Sequence, residues 1–293
     1  YPREFMAAQI STYTNDIKQV SLYIEEIKRL GIEILPPNIN YSFRKFTVED
    51  KKIRFGLKAV KNVGDNLIEV IVKARERGPY KSLKDFVDRI NALDKSALNK
   101  RAVESLIRCG AMDDFEGNRA QYLAIYEGVL SSSSNTAKNN VMGQFSLFEE
   151  ANFQEDLPKL RDFPQKDKLD MEKEVIGMYI SGHPLDPYRE LIEKNSTINT
   201  NQIFEKYREN LLRRSRVKVG GILKSKKTMI TKTNKMMAFA ALEDLYGTIE
   251  LVIFPNVYSR YKDLIEDENV VVVEGHFQES EVEEPKILVD RKS

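Results

Sequence analysis

A glycine preceded by two lysines is the first place in this sequence where residue types and spacing indicate chemistry with an anion. Lys58 and Lys61 come before Val63-Gly64-Asp65, where one predicted helix ends and the next begins. Glycine lets the backbone approach a phosphate closely, and the free N–H groups of a new helix bind phosphate oxygens. The segment predicts a helix-hairpin-helix that binds a nucleic-acid backbone without reading bases. An ordinary helical turn is the alternative.

A second, weaker copy of this pattern lies further along the chain. It runs from Lys100–Val103 through Cys109–Met112, which includes Gly110, to Gly117-Asn118-Arg119. Hairpins of this kind often occur in pairs, so Gly110, Asn118 and Arg119 are also predicted to contact a duplex. The neighbouring Asp113-Asp114 pair has no partner motif for catalysis, and we interpret these residues as helix-starting acids.

An apolar burst between a polar and an acidic run has the composition of a docking peptide. The burst consists of Gln144, Phe145, Ser146, Leu147 and Phe148. It lies between the serine-rich run Ser131–Thr136, which is predicted to be flexible, and the acidic stretch Glu149–Asp156. We expect its apolar side chains to enter a pocket on a partner, with Gln144 bonded to the pocket rim. The alternative is that the burst folds back onto its own domain.

Charge is distributed unevenly, although the formal net charge of the chain is only +1. Residues 206–235 contain 11 lysines and arginines against one glutamate, whereas residues 236–293 contain five basic and 13 acidic residues. One surface is therefore expected to attract phosphates and another to repel them, unless the two runs merely neutralise each other. The single cysteine excludes an intramolecular disulfide, and with only two histidines an ordinary zinc site is excluded as well.

The elements that must position these residues change in character along the chain. A helical pattern fills Ile17–Leu30 and stops at Gly31, and Ser82 is a candidate cap for a later helix.

No apolar run in the sequence is long enough to span a membrane. The first residue is not methionine, so we expect the chain to be cut from a longer protein. The predicted segments are 1–50, 51–131, 132–170, 171–215 and 216–293.

Residues 216–293 have the alternation and the β-branched composition of strands. The predicted strands are Arg216–Leu223, Met236–Leu242, Thr248–Ile253, Val270–Phe277 and Lys286–Asp290, with a helix at Val257–Leu264 after the third. This order predicts an OB-fold, a small barrel. The expected fold class is α+β and multidomain: an all-α helix-hairpin-helix region followed by an all-β OB-fold barrel.

The barrel has its own candidate site, because OB-folds bind single strands on strands two and three and on the loop between the first two strands. That loop is predicted at Lys224–Lys235, and Tyr246 is predicted to stack on a base, while Phe239 and Phe254 are assigned to the core. The candidate single-strand ligands are Lys224, Lys226, Lys227, Lys232, Lys235 and Tyr246. The alternative is a barrel that holds only protein partners.

Six blocks together resemble the bacterial DNA polymerase III alpha subunits, the C-family replicative polymerases. The resemblance is carried by Leu30–Asn40, Ile53–Gly64, Gly78–Leu83, Leu98–Ile107, Gln144–Phe148 and Glu172–Asp186. It implies that residues 1–50 end the fingers domain and that residues 51–131 form a tandem helix-hairpin-helix domain on duplex DNA. Residues 132–170 would be a flexible segment that carries a sliding-clamp motif of the form Gln-x-Ser/Asp-Leu-Phe. Residues 171–215 would be a helical connector, and the OB-fold would lie near the single-stranded template.

The resemblance also implies an activity for the parent protein, a DNA-directed DNA polymerase. The palm domain of the family, with the carboxylates that hold its magnesium ions, is missing here, so we expect no cofactor in this part and no polymerisation by it alone. The implied partners are duplex and single-stranded DNA without sequence preference, the beta sliding clamp and other replisome subunits, in the cytoplasm and without a membrane. The alternatives are an error-prone paralogue of the same family or a protein-interaction scaffold.

Overall fold

Two units, each with its own hydrophobic core, divide the chain between Gly182 and His183. The computed structural model describes residues 1–14, 16–141, 157–203, 215–278 and 285–292. One continuous core joins Met6 near the start of the first unit to Met178 near its end. The predicted boundary after residue 50 is therefore not a boundary of packing, and the predicted connector 171–215 is divided between the two units.

Helices dominate the first unit. They are α1 Pro2–Thr12, α2 Ile17–Arg29, α3 Asp65–Ala74, α4 Leu83–Leu93, α5 Lys100–Arg108, α6 Arg119–Val141 and α7 Gln165–Ile176. A three-stranded sheet lies between α2 and α3, with β1 Ile34–Leu35 parallel and β2 Thr47–Glu49 antiparallel to the central β3 Lys52–Arg54. The serine-rich run that was predicted to be flexible is helical instead, because α6 continues through it to Val141.

Two end signals read from the sequence are confirmed in this unit. Gly31 has φ +69°, and the Ile32 N–H donates to the Ile27 carbonyl oxygen at 3.1 Å, which closes α2 as a glycine C-cap does. Ser82 Oγ accepts the N–H of Asp85 at 3.1 Å and caps α4.

The second unit is built around a closed five-stranded barrel. Its strands are β4 Arg216–Ile230, β5 Met236–Glu243, β6 Thr248–Ile253, β7 Val270–Gln278 and β8 Lys286–Lys292. Their order around the barrel is β4-β5-β6-β8-β7, with β7 paired back to β4 and β6 parallel to β8. The helix α8 Arg189–Asn195 precedes the barrel, and α9 Pro255–Tyr261 lies between β6 and β7. The predicted fold class and strand order are confirmed, but β4 is longer than predicted.

A buried carboxylate fastens the β5–β6 turn to the segment that precedes the barrel. Asp244, 5% exposed, accepts four hydrogen bonds. Its Oδ2 accepts the N–H of Thr200 at 2.7 Å, and its Oδ1 accepts the Thr200 hydroxyl at 2.6 Å and the N–H groups of Tyr246 and Gly247 at 2.8 and 3.0 Å. Burial raises the pKa of this carboxyl above its usual value, although the four donors oppose that shift.

Candidate nucleic-acid interface

The first predicted hairpin is a tight turn that ends at the start of α3. A single 3-10 turn at Leu57–Ala59 precedes it, so the helix predicted on this side is only one turn long. Asn62 takes a positive φ of +65°, which reverses the chain, and Val63 is buried, so its side chain anchors the turn in the core. The sequence placed the turn correctly, but the buried Val63 side chain is not available to a ligand, and the Val63 N–H donates to the Val60 carbonyl oxygen at 3.3 Å.

Gly64 gives this turn an open approach to the start of α3. It is the N-cap residue in an extended conformation, and no side chain caps the first N–H groups of the helix. A Cβ built on Gly64 meets no atom within 4 Å. The first-turn N–H groups and the positive end of the helix dipole therefore face an accessible space, which suits a phosphate group.

The charges beside Gly64 form an ion cluster. The Asp65 carboxylate accepts Arg44 Nε at 2.7 Å and Lys58 Nζ at 2.8 Å, and these two cations lower the pKa of Asp65 to about 2. Lys61 is held differently, since its Nζ donates to the Glu174 carbonyl oxygen at 2.6 Å. Arg44 and Lys58 thus lie on Asp65 at the turn, with Glu69 also near Arg44, and Arg44 is in a place where Lys61 was expected.

Sequence reasoning missed Arg44 and the loop that carries it. This loop, Asn38–Phe46, connects β1 to β2 and reaches the hairpin through the pair between Arg44 and Asp65. The signal was present as three aromatic residues, Tyr41, Phe43 and Phe46, with two basic residues between the last two. It was overlooked because the block as a whole was assigned to the end of another domain.

The second predicted hairpin is occupied by internal contacts. Arg119 is only 5% exposed and donates to Asp113 at 2.7 Å and to Glu172 at 3.1 Å. Gly110 has φ +76°, and a Cβ there would lie 2.3 Å from Arg119 Nη2, so this glycine makes room for the guanidinium. Asn118 caps α6, with its Oδ1 accepting the N–H of Gln121 at 3.0 Å.

These contacts correct the predicted roles of Gly110, Asn118 and Arg119. A buried guanidinium that already bonds two carboxylates has no donor face for a phosphate. Asp113 is also not a helix-starting acid, because it lies in a turn and pairs with Arg119. We therefore leave these residues out of the candidate interface.

On the barrel, two of the predicted lysines lie on a strand and are paired with acids. Lys224 and Lys226 belong to β4, next to an irregularity in its pairing with β5, and not to a loop. Lys224 Nζ pairs with Glu268, and Lys226 Nζ pairs with Glu266 at 2.6 Å. The acidic turn before β7 therefore competes with any phosphate for both lysines.

The other three lysines are exposed where the β4–β5 hairpin extends beyond the paired acids. Lys227 is on β4, and Lys232 and Lys235 flank the turn that joins the strands. Apolar side chains are exposed at the same tip: Met229 is 47% exposed, Ile230 is 61% exposed and Met236 is 42% exposed. Cations interleaved with apolar surface suit a single strand, which offers phosphates and bases together.

The predicted stacking residue lies away from this tip. Tyr246 is 44% exposed in the β5–β6 turn, as expected, but the eight residues of β5 place roughly 25 Å between that turn and the β4–β5 turn. The core assignment of Phe254 was wrong, because its side chain is 45% exposed just before α9. Phe239 is half-buried on β5 and pairs across the strands with Val252.

The remaining expectations concern the docking peptide, a metal site and a membrane-spanning helix. The docking peptide Gln144–Phe148 lies outside the described residues. Within the described ranges, no three His, Cys, Asp or Glu side chains come together as a metal site needs. Of the helices described, none is long and apolar enough to cross a membrane.

Two family models match the chain at the positions of these surfaces. Residues 31–122 match a helix-hairpin-helix motif, which covers the Asn38–Phe46 loop and both predicted hairpins. Residues 217–291 match an OB-fold nucleic acid binding domain, which covers the barrel.

Curated relatives are similar along nearly the whole chain. The DNA polymerase III subunit alpha of Aquifex aeolicus is 39% identical over 292 residues, which is 99% of this chain and 23% of the relative. That of Borreliella burgdorferi is 35% identical over 94% of this chain and 24% of the relative. That of Thermus aquaticus is 36% identical over 96% of this chain and 22% of the relative. The chain thus spans about a quarter of the length of the relatives that it matches.

Proposed function

The chain belongs to the DNA polymerase III alpha subunit family, and on that premise we propose that it is a DNA-holding part of a DNA-directed DNA polymerase in bacterial chromosome replication. The open start of α3 at Gly64, with its uncapped N–H groups beside Arg44 and Lys58, carries this proposal. Magnesium-dependent nucleotidyl transfer would belong to other parts of the parent polymerase, and this chain would bind the DNA.

Duplex DNA would be held at the α3 start through its backbone. A phosphate oxygen would accept the first-turn N–H groups of α3, while Arg44 and Lys58 would supply charge from the sides. Such contacts do not distinguish bases, so binding would be independent of sequence and would weaken as salt rises. A polymerase that copies any template needs this property.

Single-stranded DNA would be held at the tip of the β4–β5 hairpin. Lys227, Lys232 and Lys235 would contact phosphates, and the exposed apolar side chains of the tip would pack against bases. Lys224 and Lys226 would contribute less, because phosphates must displace Glu268 and Glu266 to reach them. Tyr246 lies too far from the tip to serve the same nucleotides.

Replacing Gly64 with glutamate is expected to weaken binding to duplex DNA about tenfold, which corresponds to one charge-assisted phosphate contact. The new carboxylate would occupy the open space at the start of α3 and repel the phosphate. The fold should not change, because the added side chain meets no atom within 4 Å at its Cβ and the backbone conformation is extended. Fluorescence anisotropy with labelled duplex at two salt concentrations measures the effect.

Gly128 provides the matched control for this experiment. It lies on α6, and its Cβ would also meet no atom within 4 Å, so Gly128→Glu adds the same charge outside the candidate interface. The proposal requires Gly128→Glu to bind duplex within about twofold of the unaltered chain. Absence of DNA binding by the unaltered chain at low salt would overturn the proposal and favour a protein-interaction scaffold.

The motif Gln144–Phe148 would bind the sliding clamp of the same replication machinery. Its apolar residues would fill a pocket on the clamp, as docking peptides do. We expect Leu147→Ala with Phe148→Ala to abolish clamp binding, a loss of at least a hundredfold for two anchor residues, while DNA affinity stays unchanged. Surface plasmon resonance on immobilised clamp measures this, with Phe153→Ala as the control. Equal clamp binding by all three proteins would exclude the motif.

A further inference from the structure

The Asn38–Phe46 loop is held rigidly by hydrogen bonds. Ser42 Oγ accepts the N–H of Asn38 at 2.9 Å, and the Ser42 N–H donates to the Asn38 carbonyl oxygen at 2.7 Å. Arg75 Nη1 donates to the carbonyl oxygens of Ile39 and Ser42 at 2.9 and 2.7 Å. The Leu57 N–H donates to the Phe43 carbonyl oxygen at 2.9 Å. A loop fastened at so many points keeps one shape and presents its side chains in a fixed arrangement.

Two aromatic rings project from this rigid loop. Tyr41 is 54% exposed and Phe43 is 47% exposed, although neighbouring Phe46 is buried. Each ring has a guanidinium on it: the Arg54 carbon Cζ lies 5.6 Å from the Tyr41 centroid, and that of Arg75 lies 4.5 Å from the Phe43 centroid. Both rings are thus held by a cation while about half of their surface remains open, which is the form of a stacking platform.

The charge around the rings selects the class of ligand. Arg44 and Lys45 follow Phe43 directly and are both exposed. Arg75 bonds to carbonyl oxygens of the loop, and Glu49 accepts both Nε and Nη2 of Arg54 at 2.9 and 2.7 Å. Flat aromatic surface beside exposed cationic side chains matches a nucleotide, which joins an aromatic base to a phosphate. Bases in a duplex are covered by their neighbours, so the base must be unpaired.

We infer that Tyr41 and Phe43 form a stacking platform for an unpaired nucleotide next to the phosphate site at Gly64. The inference rests on the proposed function, because the Arg44–Asp65 pair places the loop beside the turn that would hold the duplex backbone. The platform would recognise a junction, where a duplex ends and a single strand begins. The start of α3 alone would contact only the DNA backbone and would not prefer a junction to a continuous duplex.

The test compares two DNA ligands on the unaltered chain and on the double variant Tyr41→Ala/Phe43→Ala. One ligand is a blunt duplex, and the other is the same duplex with a three-nucleotide overhang that carries 2-aminopurine. We expect the double variant to lose about tenfold or more in affinity for the overhang DNA, since each stacked base contributes that order. Its affinity for the blunt duplex should change less than twofold, and the quenching of 2-aminopurine by the platform should disappear.

Two further variants separate stacking from folding. Tyr41→Phe/Phe43→Tyr keeps both rings and should restore overhang affinity and quenching. Phe5→Ala removes a 64% exposed aromatic of the same unit and should change neither. Unchanged overhang affinity in the alanine double variant would overturn the inference, as would equal losses on both DNA ligands. Failure of the proposed function is distinguishable, because the unaltered chain would then bind neither DNA.

Discussion

Replacing Glu172 with alanine is expected to lower the free energy of unfolding of the first unit by about 3 kcal/mol. Its side chain is 2% exposed, and its Oε1 accepts Arg119 Nη2 at 3.1 Å. Its Oε2 accepts the N–H groups of Ile180 and Ser181 at 3.2 and 3.0 Å. Alanine would remove the acceptor of these two partly buried amides and of part of the buried Arg119 guanidinium. Urea denaturation followed by circular dichroism measures the loss.

Glu174 on the same helix is the matched control for this experiment. Its carboxylate is 65% exposed and pairs with Arg108 at 2.9 Å, so Glu174→Ala should cost less than about 1 kcal/mol. The Lys61 contact uses the backbone carbonyl oxygen of Glu174 and survives the substitution. A loss below about 1 kcal/mol for Glu172→Ala would show that Arg119 is satisfied by Asp113 alone and that the buried network does not support the fold.

The order of elements could be predicted from the sequence because local patterns determine it. Glycine at a helix end, serine at a helix start and β-branched alternation are short-range signals, and Gly31, Ser82 and the barrel strands follow them. The first hairpin was found for the same reason, since its glycine and its lysines lie within a few residues of each other. Fold class and the location of one candidate site needed no long-range information.

Long-range pairing decided the predictions that failed. Arg119 has the local setting of a phosphate ligand, but Glu172 lies 53 residues away and takes its guanidinium into the core. Lys226 looked free in its basic run, yet Glu266 reaches it from 40 residues away. Acidic and basic stretches that seem to belong to different surfaces are therefore neighbours in the barrel. A count of charges along the chain does not show which cations remain available to DNA.

Strand length was the other source of error. β4 was expected to end at Leu223 because lysines interrupt its apolar alternation after that residue. Beyond a bulge, pairing with β5 resumes at Lys227 and continues to Ile230, so the strand extends as a hairpin outside the core. An exposed hairpin has no buried face, and its residues therefore lack the alternation that identifies a strand. The same exposure leaves the lysines of the tip accessible to the phosphates of a single strand.

Asp244→Ala is expected to lower the free energy of unfolding of the second unit by about 3 kcal/mol. The substitution leaves the N–H groups of Thr200, Tyr246 and Gly247 without their acceptor, and it frees the β5–β6 turn from the segment before the barrel. Thr200→Val removes only the hydroxyl donor and should cost about 1 kcal/mol. Thermal and urea denaturation of the chain measure both effects.

The dependence of the Asp244 contribution on pH has a definite sign. Because the pKa of this carboxyl is raised in the folded state, the folded chain binds its proton more tightly than the unfolded chain does. The resulting stabilisation is complete below the unfolded pKa of about 4 and is lost as pH rises through the folded pKa. The difference in stability between the unaltered chain and Asp244→Ala should therefore grow as pH falls from 7 toward about 4. Asp263→Ala, which removes an exposed carboxylate, is the reference variant. If the stability difference between the unaltered chain and Asp244→Ala instead shrinks as pH falls, the four donors outweigh burial and lower the pKa of Asp244.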